Sequence, residues 1–106
     1  PAVLAPIGSL QVFDATGGTG AAEAARDFGV LQILSSACQP DFEAVAHAVP
    51  GPRIYQLYLT GDQAWMDDVI ARARAAGYTA LCLTADTQTY SRRERDILKR
   101  FVPPSG

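Results

Sequence analysis

Four short apolar runs alternate along the chain with segments of helix-forming composition. The runs begin near residues 2, 30, 53 and 80, and they predict strands over residues 2–5, 30–34, 53–59 and 80–83. Glycine, proline or polar residues bound the runs, as is usual where strands end. The pattern therefore predicts four strands, whose first residues lie about 25 positions apart.

The intervals between these runs predict three helices. The first covers residues 21–28 and ends at a glycine that fits a left-handed C-cap. The second opens at residues 40–43, with proline in the first turn and acids that complement the helix dipole, and ends before residues 50–52. The third is capped by Asp62 and runs to Ala76.

The resulting order, β-α-β-α-β-α-β, is typical of an α/β protein with a parallel sheet. Near-continuous apolar strands of this kind predict a sheet that is covered on both faces. The spacing suits either a doubly wound sheet or a (β/α)₈ barrel, and four strands are too few to close a barrel. We expect one structural unit over residues 1–106, without an internal domain boundary.

Length and composition narrow the class of protein. With 106 residues, of which 48% are hydrophobic, the chain is able to bury a core, and this composition argues against disorder. No apolar run reaches the roughly 18 residues of a transmembrane helix. The net charge of −2 gives no reason to expect nucleic acid or a membrane as partner. Two cysteines are too few for a disulfide scaffold, so we expect a reducing, cytoplasmic location.

The charges are unevenly distributed. Residues 1–91 carry four basic and nine acidic side chains, whereas residues 92–100 carry five basic and two acidic ones. On composition alone, such a basic cluster is more typical of a solvated helix face than of a site. The chain also begins at Pro1, without a methionine or signal peptide, and enters an apolar run at once, which suggests a piece of a larger protein.

Hydrogen-bonding side chains occur at or just after the carboxyl end of each predicted strand. They are Ser9, Ser35 and Ser36, Gln56 and Tyr58, and Thr84 and Asp86. Because the working residues of parallel α/β folds lie at this end of the strands, we expect a polar ligand there. Gly8, in the turn after the first strand, would let the backbone approach a flat ligand closely.

Other candidate chemistry is weaker. The glycine run at residues 17–20 lacks the third glycine of a dinucleotide fingerprint and lies about ten residues after its strand, so we interpret it as a turn that begins a helix. The single histidine, His47, falls on the second helix, where we expect it to be partly exposed. Cys38 and Cys82 lack the spacing of a zinc or redox pair, and Cys82 is expected to be a small buried hydrophobe. We predict no metal site.

Five segments near the strand ends occur in an order and spacing that resemble one family. They are Leu-Ala-Pro-Ile-Gly (4–8), Ile-Leu-Ser-Ser (33–36), Tyr-Gln-Leu-Tyr (55–58), Leu-Thr-Ala-Asp-Thr (83–87) and Arg-Arg-Glu-Arg-Asp (92–96). Over essentially its whole length the chain resembles the FMN-dependent α-hydroxy acid dehydrogenases, which include glycolate oxidase, lactate oxidase and mandelate dehydrogenase. The resemblance implies a partial (β/α)₈ TIM barrel, with residues 1–106 as its N-terminal half.

The same resemblance implies FMN as the cofactor. It places the backbone of Ile7 and Gly8 beside the flavin ring, and it gives Ser35, Gln56 and Thr84 the role of hydrogen-bonding the ring. Hydrogen bonds to ring nitrogens and carbonyls tune the electron affinity of a flavin. The implied reaction is the oxidation of a small L-2-hydroxy acid to a 2-oxo acid.

For the substrate, the resemblance implies that Tyr58 and Arg93 bind the carboxylate or hydroxyl group. Asp86 would stabilise the protonated form of a histidine base. That base, a lysine near the flavin and a second arginine belong to later strands of the barrel, so we expect no turnover by these 106 residues alone. Ala37 stands where glycolate-oxidase-like members have tryptophan, which argues against a preference for the smallest substrates.

Two alternatives remain at this point. One is another FMN-binding barrel, such as a type 2 isopentenyl-diphosphate isomerase, against which the pair of Tyr58 and Arg93 argues. The other is a self-standing half-barrel that dimerises through its strand edges without catalysis. The expected protein partners are accordingly further copies in a homo-oligomer or the remaining half of the barrel.

Overall fold

The computed structural model describes residues 2–86 and 94–100. Within them the elements, in chain order, are β1 (Val3–Leu4), a 3-10 helix (Leu10–Val12), α1 (Gly17–Phe28), β2 (Leu31–Ser35), α2 (Phe42–Ala48), β3 (Arg53–Tyr58), α3 (Gln63–Ala75), β4 (Ala80–Thr84) and α4 (Glu94–Leu98). The four predicted strands and three predicted helices are confirmed. The short helix α4, in the basic segment, is additional, and its described side chains are exposed.

The strands lie in the order β1-β2-β3-β4 in one sheet, and every neighbouring pair is parallel. A doubly wound sheet reverses the direction of winding at a switch point, and the described strands contain no such reversal. The helices α1, α2 and α3 contribute Ala22, Val45 and Val69 to a single core. The chain therefore winds in one direction, as in a (β/α)₈ barrel, and forms part of that fold.

In the described residues, α1, α2 and α3 cover one face of the sheet, and the expectation that both faces are covered was wrong. Side chains alternate between the two faces along a strand. Leu34, Tyr55 and Leu57 lie in the core beneath the helices, whereas Ser35 and Gln56 point to the opposite face. Winding in one direction places every connecting helix on the same side, which is the physical reason for the difference.

Three aromatic rings fill the core between α2, β3 and the turn before β4. The Phe42 ring centre lies 4.7 Å from that of Tyr55 and 6.0 Å from that of Tyr78, distances at which aromatic pairs attract. The Tyr78 hydroxyl donates to the Phe42 carbonyl oxygen at 2.8 Å. The phenol is thus buried with its single hydrogen committed to the backbone.

Burial makes the stability of this core depend on alkaline pH. It raises the pKa of Tyr78 to about 12 from its ordinary value of 10.0, and the Arg53 guanidinium offsets part of the rise. A raised pKa means that the folded state favours the neutral phenol. The contribution of the neutral Tyr78 phenol to the free energy of unfolding is therefore complete below pH 10 and is lost as pH rises towards 12. We expect the free energy of unfolding to fall by about 2 kcal/mol over this window.

Urea unfolding at a series of alkaline pH values measures the effect. The variant Tyr78→Phe should be less stable at neutral pH by about 1 kcal/mol, because it loses the hydrogen bond to the Phe42 carbonyl. In this variant the free energy of unfolding should also decrease much less between pH 10 and pH 12. Part of the decrease should remain, because burial raises the pKa of Tyr55 as well. An identical pH dependence in the variant and the unsubstituted protein would contradict this account.

The glycine run belongs to the first turn of α1, where it allows close packing. Gly17 has φ +51°, and a Cβ at Gly18 would lie 2.8 Å from Cδ1 of Leu34 and 3.2 Å from Sγ of Cys38. The Gly18 N–H donates to the carbonyl oxygen of Gln39 at 2.9 Å. The run therefore seats α1 against β2 and the loop that follows it. This agrees with its interpretation as the start of a helix.

Aspartates cap the two following helices. The Asp62 carboxylate accepts from the Trp65 N–H at 2.9 Å, which confirms the predicted cap of α3. The Asp41 carboxylate accepts from the Ala44 N–H at 2.8 Å, so α2 is capped by the residue that follows Pro40. The proline precedes the helix and does not form its first turn, since the helix begins at Phe42.

Candidate functional site

Three polar side chains form a hydrogen-bonded row across β2, β3 and β4, on the face that the helices leave uncovered. The Ser35 hydroxyl donates to Oε1 of Gln56 at 2.8 Å, and Nε2 of Gln56 donates to Oγ1 of Thr84 at 2.8 Å. Ser35 and Gln56 are both buried. Parallel pairing brings the carboxyl ends of consecutive strands to one edge, which places these residues side by side although a helix separates each from the next in sequence. We call Ser35, Gln56 and Thr84 the hydroxyl–amide row.

The row keeps donors available for a ligand. Thr84 accepts the Gln56 N–H, and its own hydroxyl hydrogen has no acceptor among the residues that the structure describes. Gln56 has a second N–H that makes no other hydrogen bond among the described residues. Ser35 Oγ is occupied on both sides, because it also accepts from the Ala37 N–H at 3.2 Å. The row therefore presents oriented neutral donors rather than a flexible polar surface.

The turns after β1 and β2 are joined beside this row. The Ser9 N–H donates to the Ala37 carbonyl oxygen at 2.9 Å. A Cβ at Gly8 would lie 3.2 Å from Cβ of Ala37 and 3.8 Å from Oγ of Ser35. The missing side chain of Gly8 thus permits contact between the two turns. This is a different reason for the glycine from the predicted approach to a flat ligand.

Tyr58 lies at the end of β3, two residues beyond Gln56 and on the same face of the sheet. Its ring is half-buried and its strand position pairs with Thr84. Ser36 supports this end of β3 from the neighbouring turn: its N–H donates to the Gln56 carbonyl oxygen at 2.9 Å, and its Oγ accepts from the Tyr58 N–H at 3.4 Å. No such positioning role for Ser36 follows from the sequence, in which only its place after a strand could have suggested one.

The remaining predicted site residues are dispersed. Ile7, in the turn after β1, has a 53% exposed side chain. Asp86 is exposed two residues after the end of β4, and it makes no hydrogen bond or ion pair within the described residues. Arg93 lies outside the described residues. The structure therefore brings together Ser35, Gln56 and Thr84, and their predicted roles towards a flavin stay predictions.

The chemistry of the hydroxyl–amide row is that of recognition. Its hydroxyl and amide groups stay neutral at physiological pH and bind a partner through directed hydrogen bonds. Among the residues that the structure describes, no cluster of His, Cys, Asp or Glu has the arrangement of a metal site. The row therefore suits a polar ligand that accepts hydrogen bonds.

The histidine and the two cysteines lie outside the hydroxyl–amide row. His47 is exposed on α2, as expected from its helical position. Cys38 is buried, and Cys82 is only half-buried on the face that carries the row, so the expectation of a buried Cys82 was wrong. No helix covers this face of β4 in the described residues, which leaves Cys82 accessible. No helix in residues 2–86 and 94–100 is long and apolar enough to span a bilayer.

Parallel strands wound in one direction, with a polar edge beyond their carboxyl ends, define the class of (β/α)₈-barrel proteins that bind ligands at that edge. The sequence model described as FMN-dependent dehydrogenase matches residues 1–106. The chain belongs to this family of FMN-dependent dehydrogenases, which includes α-hydroxy acid oxidases and dehydrogenases.

Similar proteins agree with this assignment. Glycolate oxidase 1 of Zea mays and glycolate oxidase of Spinacia oleracea are each 38% identical over 104 residues, a match that covers 98% of this chain and 28% of the relative. A soluble mutant of the membrane-associated (S)-mandelate dehydrogenase from Pseudomonas putida matches with TM-score 0.87 and 30% identity over 97% of this chain and 29% of that one. A mandelate oxidase structure matches with TM-score 0.86 and 33% identity over 96% of this chain and 30% of that one. The chain spans less than a third of the length of these relatives.

Proposed function

We propose that this chain supplies the flavin-ring contacts and part of the substrate site of an enzyme that oxidises an L-2-hydroxy acid to a 2-oxo acid with FMN. The hydroxyl–amide row carries the proposal, because it sets neutral donors from three adjacent strands along one edge of the sheet. FMN, when bound, accepts the two electrons that leave the substrate. Family membership and the match to glycolate oxidases and mandelate dehydrogenases support this choice of chemistry.

In this proposal Gln56 and Thr84 donate to the flavin ring, and Ser35 holds the Gln56 amide in the required orientation. A donor held in place before the ligand arrives loses less entropy on binding than a mobile one. The backbone at Ile7 and Gly8 borders the ring, since the turn after β1 is fastened to the turn after β2 by the Ser9 hydrogen bond.

Substrate binding falls to residues further along the same edge. Tyr58 donates its phenolic hydrogen to the carboxylate or hydroxyl group, and Arg93 provides a guanidinium fork for the carboxylate. Asp86 stabilises a protonated histidine base that another part of the barrel contributes. Support for Tyr58 comes from its position, half-buried on the same face as Gln56.

The partner of this chain in the proposed enzyme is the remainder of a (β/α)₈ barrel. On β4, the side chains of Leu81 and Leu83 are 42% and 53% exposed on the face where helices pack against the other strands. Further strands and helices of a barrel would cover this apolar surface and pair with the open edge of β4. The competing arrangement is a dimer of two such half-barrels without flavin. Size-exclusion chromatography with a flavin spectrum separates the two, because a colourless dimer contradicts the proposed enzyme.

The free thiols of Cys38 and Cys82 fit a reducing environment, and we propose the cytoplasm as the location. A homo-oligomer of complete barrels is proposed as the working form. The P. putida mandelate dehydrogenase is described as membrane-associated, so fractionation of cells into membrane and soluble parts is the direct check on the location.

The central test uses the protein expressed from its complete reading frame and loaded with FMN. Under anaerobic conditions, L-lactate, glycolate or (S)-mandelate should bleach the flavin absorbance, and the matching 2-oxo acid should accumulate in equal amount. The D isomers of lactate and mandelate serve as controls and should leave the spectrum unchanged. A flavin-loaded protein that none of these acids bleaches would contradict the proposed reaction.

A substitution at Ala37 tests the size of the substrate. Ala37 is exposed beside Gly8 and Ser35, so the edge of the proposed site is open there. In Ala37→Trp an indole would fill this space. We expect KM for mandelate to rise at least tenfold, which corresponds to about 1.4 kcal/mol of lost binding, while KM for glycolate changes little.

The control for this substitution is Ala71→Trp, which adds the same side chain at an exposed position on α3. It should leave both KM values unchanged. Equal effects of Ala37→Trp on the large and the small substrate would show that Ala37 does not determine substrate size.

A further inference from the structure

The last residue of β3, Tyr58, is held differently on its two sides. Towards β4 it lies in register with Thr84, inside the ladder of the two strands. Towards β2 the ladder ends earlier, because the last pair in register joins Ser35 to the residue two positions before Tyr58. The backbone of Tyr58 therefore extends beyond the end of the neighbouring strand.

The chain turns away from β3 immediately after β2. The Cys38 N–H donates to the Ser35 carbonyl oxygen at 3.2 Å, and the Ala37 N–H donates to Oγ of Ser35 at 3.2 Å. Ser36, which is half-buried, lies within this turn. Its N–H still reaches β3 and donates to the Gln56 carbonyl oxygen at 2.9 Å. Ser36 is thus the point at which backbone pairing between the two strands stops.

The Ser36 side chain replaces the next backbone acceptor. In a parallel ladder, alternate residues of a strand direct their N–H and C=O groups to the same neighbour. The Tyr58 N–H therefore points to the same side as the Gln56 carbonyl group. A continuing ladder would offer it the Ser36 carbonyl oxygen, which does not accept it. Oγ of Ser36 accepts it instead, at 3.4 Å.

This bond bears on the orientation of the Tyr58 phenol. The ring is half-buried and lies on the face of the sheet that carries the hydroxyl–amide row. A tyrosine side chain has only two rotatable bonds up to its ring, so the ring follows a displacement of its own backbone. A shift of about 1 Å at a group that positions substrate is enough to change binding and rate strongly.

We infer that Ser36 is a positioning residue for the substrate: its hydroxyl holds the Tyr58 N–H and thereby sets the phenol where the 2-hydroxy acid binds. This inference rests on the proposed function, because it requires Tyr58 to contact the substrate. Ser36 itself contacts neither substrate nor flavin. Loss of its hydroxyl should therefore weaken the binding of the acid and leave the affinity for FMN unchanged.

The test compares Ser36→Val with Ser36→Thr in the FMN-loaded protein expressed from its complete reading frame. The two side chains have nearly the same shape, and only threonine keeps an oxygen that can accept the Tyr58 N–H. The probe is 2-hydroxy-2-methylpropanoate, which has the carboxylate and hydroxyl group of a substrate but no hydrogen on C2 to be removed. Its binding is measured by titration of the flavin absorbance.

The dissociation constant of the probe should rise at least about fivefold in Ser36→Val, since a methyl group leaves the N–H without its acceptor. It should change less than about twofold in Ser36→Thr. Ser36→Ala, a smaller change, should raise it about two- to threefold. Thr60→Val makes the same hydroxyl-to-methyl change at an exposed position two residues beyond Tyr58 and should have no effect.

A double-mutant cycle with Tyr58→Phe shows whether Ser36 acts through the phenol. Tyr58→Phe removes the hydroxyl group that we propose contacts the acid, so it should weaken binding of the probe by itself. In that background Ser36→Val should weaken binding by less than about twofold further, because the positioned group is already absent. A purely structural effect of Ser36→Val would persist in both backgrounds.

The outcomes distinguish this inference from the proposed function. If the unsubstituted protein does not bind the probe, or if Tyr58→Phe binds it equally well, the proposed substrate contact is wrong and the inference fails with it. If Tyr58→Phe weakens binding but Ser36→Val does not, the proposed contact stands and the inference is overturned. Equal weakening by valine and threonine, equal effects of Ser36→Val in the two backgrounds, or a parallel loss of FMN affinity would also overturn it.

Discussion

Replacing Gln56 by methionine should lower the affinity for FMN by about 10- to 100-fold. Methionine has a similar length and volume but neither donates nor accepts a comparable hydrogen bond. The change removes both bonds of the row, from the Ser35 hydroxyl and to Thr84 Oγ1, each 2.8 Å long. It also removes the second N–H that we propose donates to the flavin ring. A loss of about 1.4 to 2.8 kcal/mol of binding free energy from these hydrogen bonds corresponds to the expected decrease in affinity.

Fluorescence titration of the apoprotein with FMN measures this affinity, because free and bound flavin differ in emission. The matched control is Gln63→Met on α3, whose side chain is exposed and bonds only to Asp67 one turn away. It should bind FMN normally. The thermal midpoint of each apoprotein separates a loss of fold from a loss of the site. Normal FMN affinity in a folded Gln56→Met protein would show that the row does not contact the cofactor.

Gly17→Ala should destabilise the fold by about 3 kcal/mol or more. A Cβ at this position would lie 2.0 Å from the carbonyl oxygen of Gln39, which is backbone and cannot rotate away. The residue also has φ +51°, a left-handed conformation that costs an alanine about 1 to 2 kcal/mol. Relief of the overlap requires the loop to move, which breaks the hydrogen bond from the Gly18 N–H to the same oxygen. The total is among the larger effects of single substitutions.

Comparison with Gly29→Ala separates the steric part of this effect from the conformational part. Gly29, which ends α1, is also left-handed, with φ +69°, but no atom lies within 4 Å of its added Cβ. It should therefore lose only the conformational contribution, about 1 kcal/mol. Urea unfolding of both variants gives the comparison. Equal destabilisation of the two would contradict the close approach of α1 to the loop after β2.

Hydrophobic periodicity predicted the local elements well, because each strand buries a short apolar run and each helix begins or ends at a residue suited to a cap. Asp62 and its bond to the Trp65 N–H illustrate this, since a cap needs only four consecutive residues. The errors arose where burial depends on distant contacts. Cys82 has an apolar sequence context, yet it is half-buried, because the face of β4 that carries it has no cover among the described residues.

The candidate site was predictable in part. The positions of Ser35, Gln56 and Thr84 at strand ends indicated one edge of a sheet, and the five family-like segments named a role for them. The order of donors and acceptors along the row was not predictable, since it depends on the register between β2, β3 and β4. The neighbouring positions of Gln32 and Arg53 were not predictable either. Arg53 and Gln32 are 21 positions apart, as the numbering shows, and only parallel pairing makes them neighbours.

The sequence by itself determined the alternation of strands and helices, the caps, the family and the residue types at the carboxyl edge. These properties depend on local propensity, on side-chain chemistry and on spacing along the chain. Only the tertiary structure decided that the helices share one face, that Gly17 and Gly18 serve packing, and that Gln56 bridges Ser35 and Thr84. Each of these depends on the direction of winding and the register of strands, which bring together atoms that are distant along the chain.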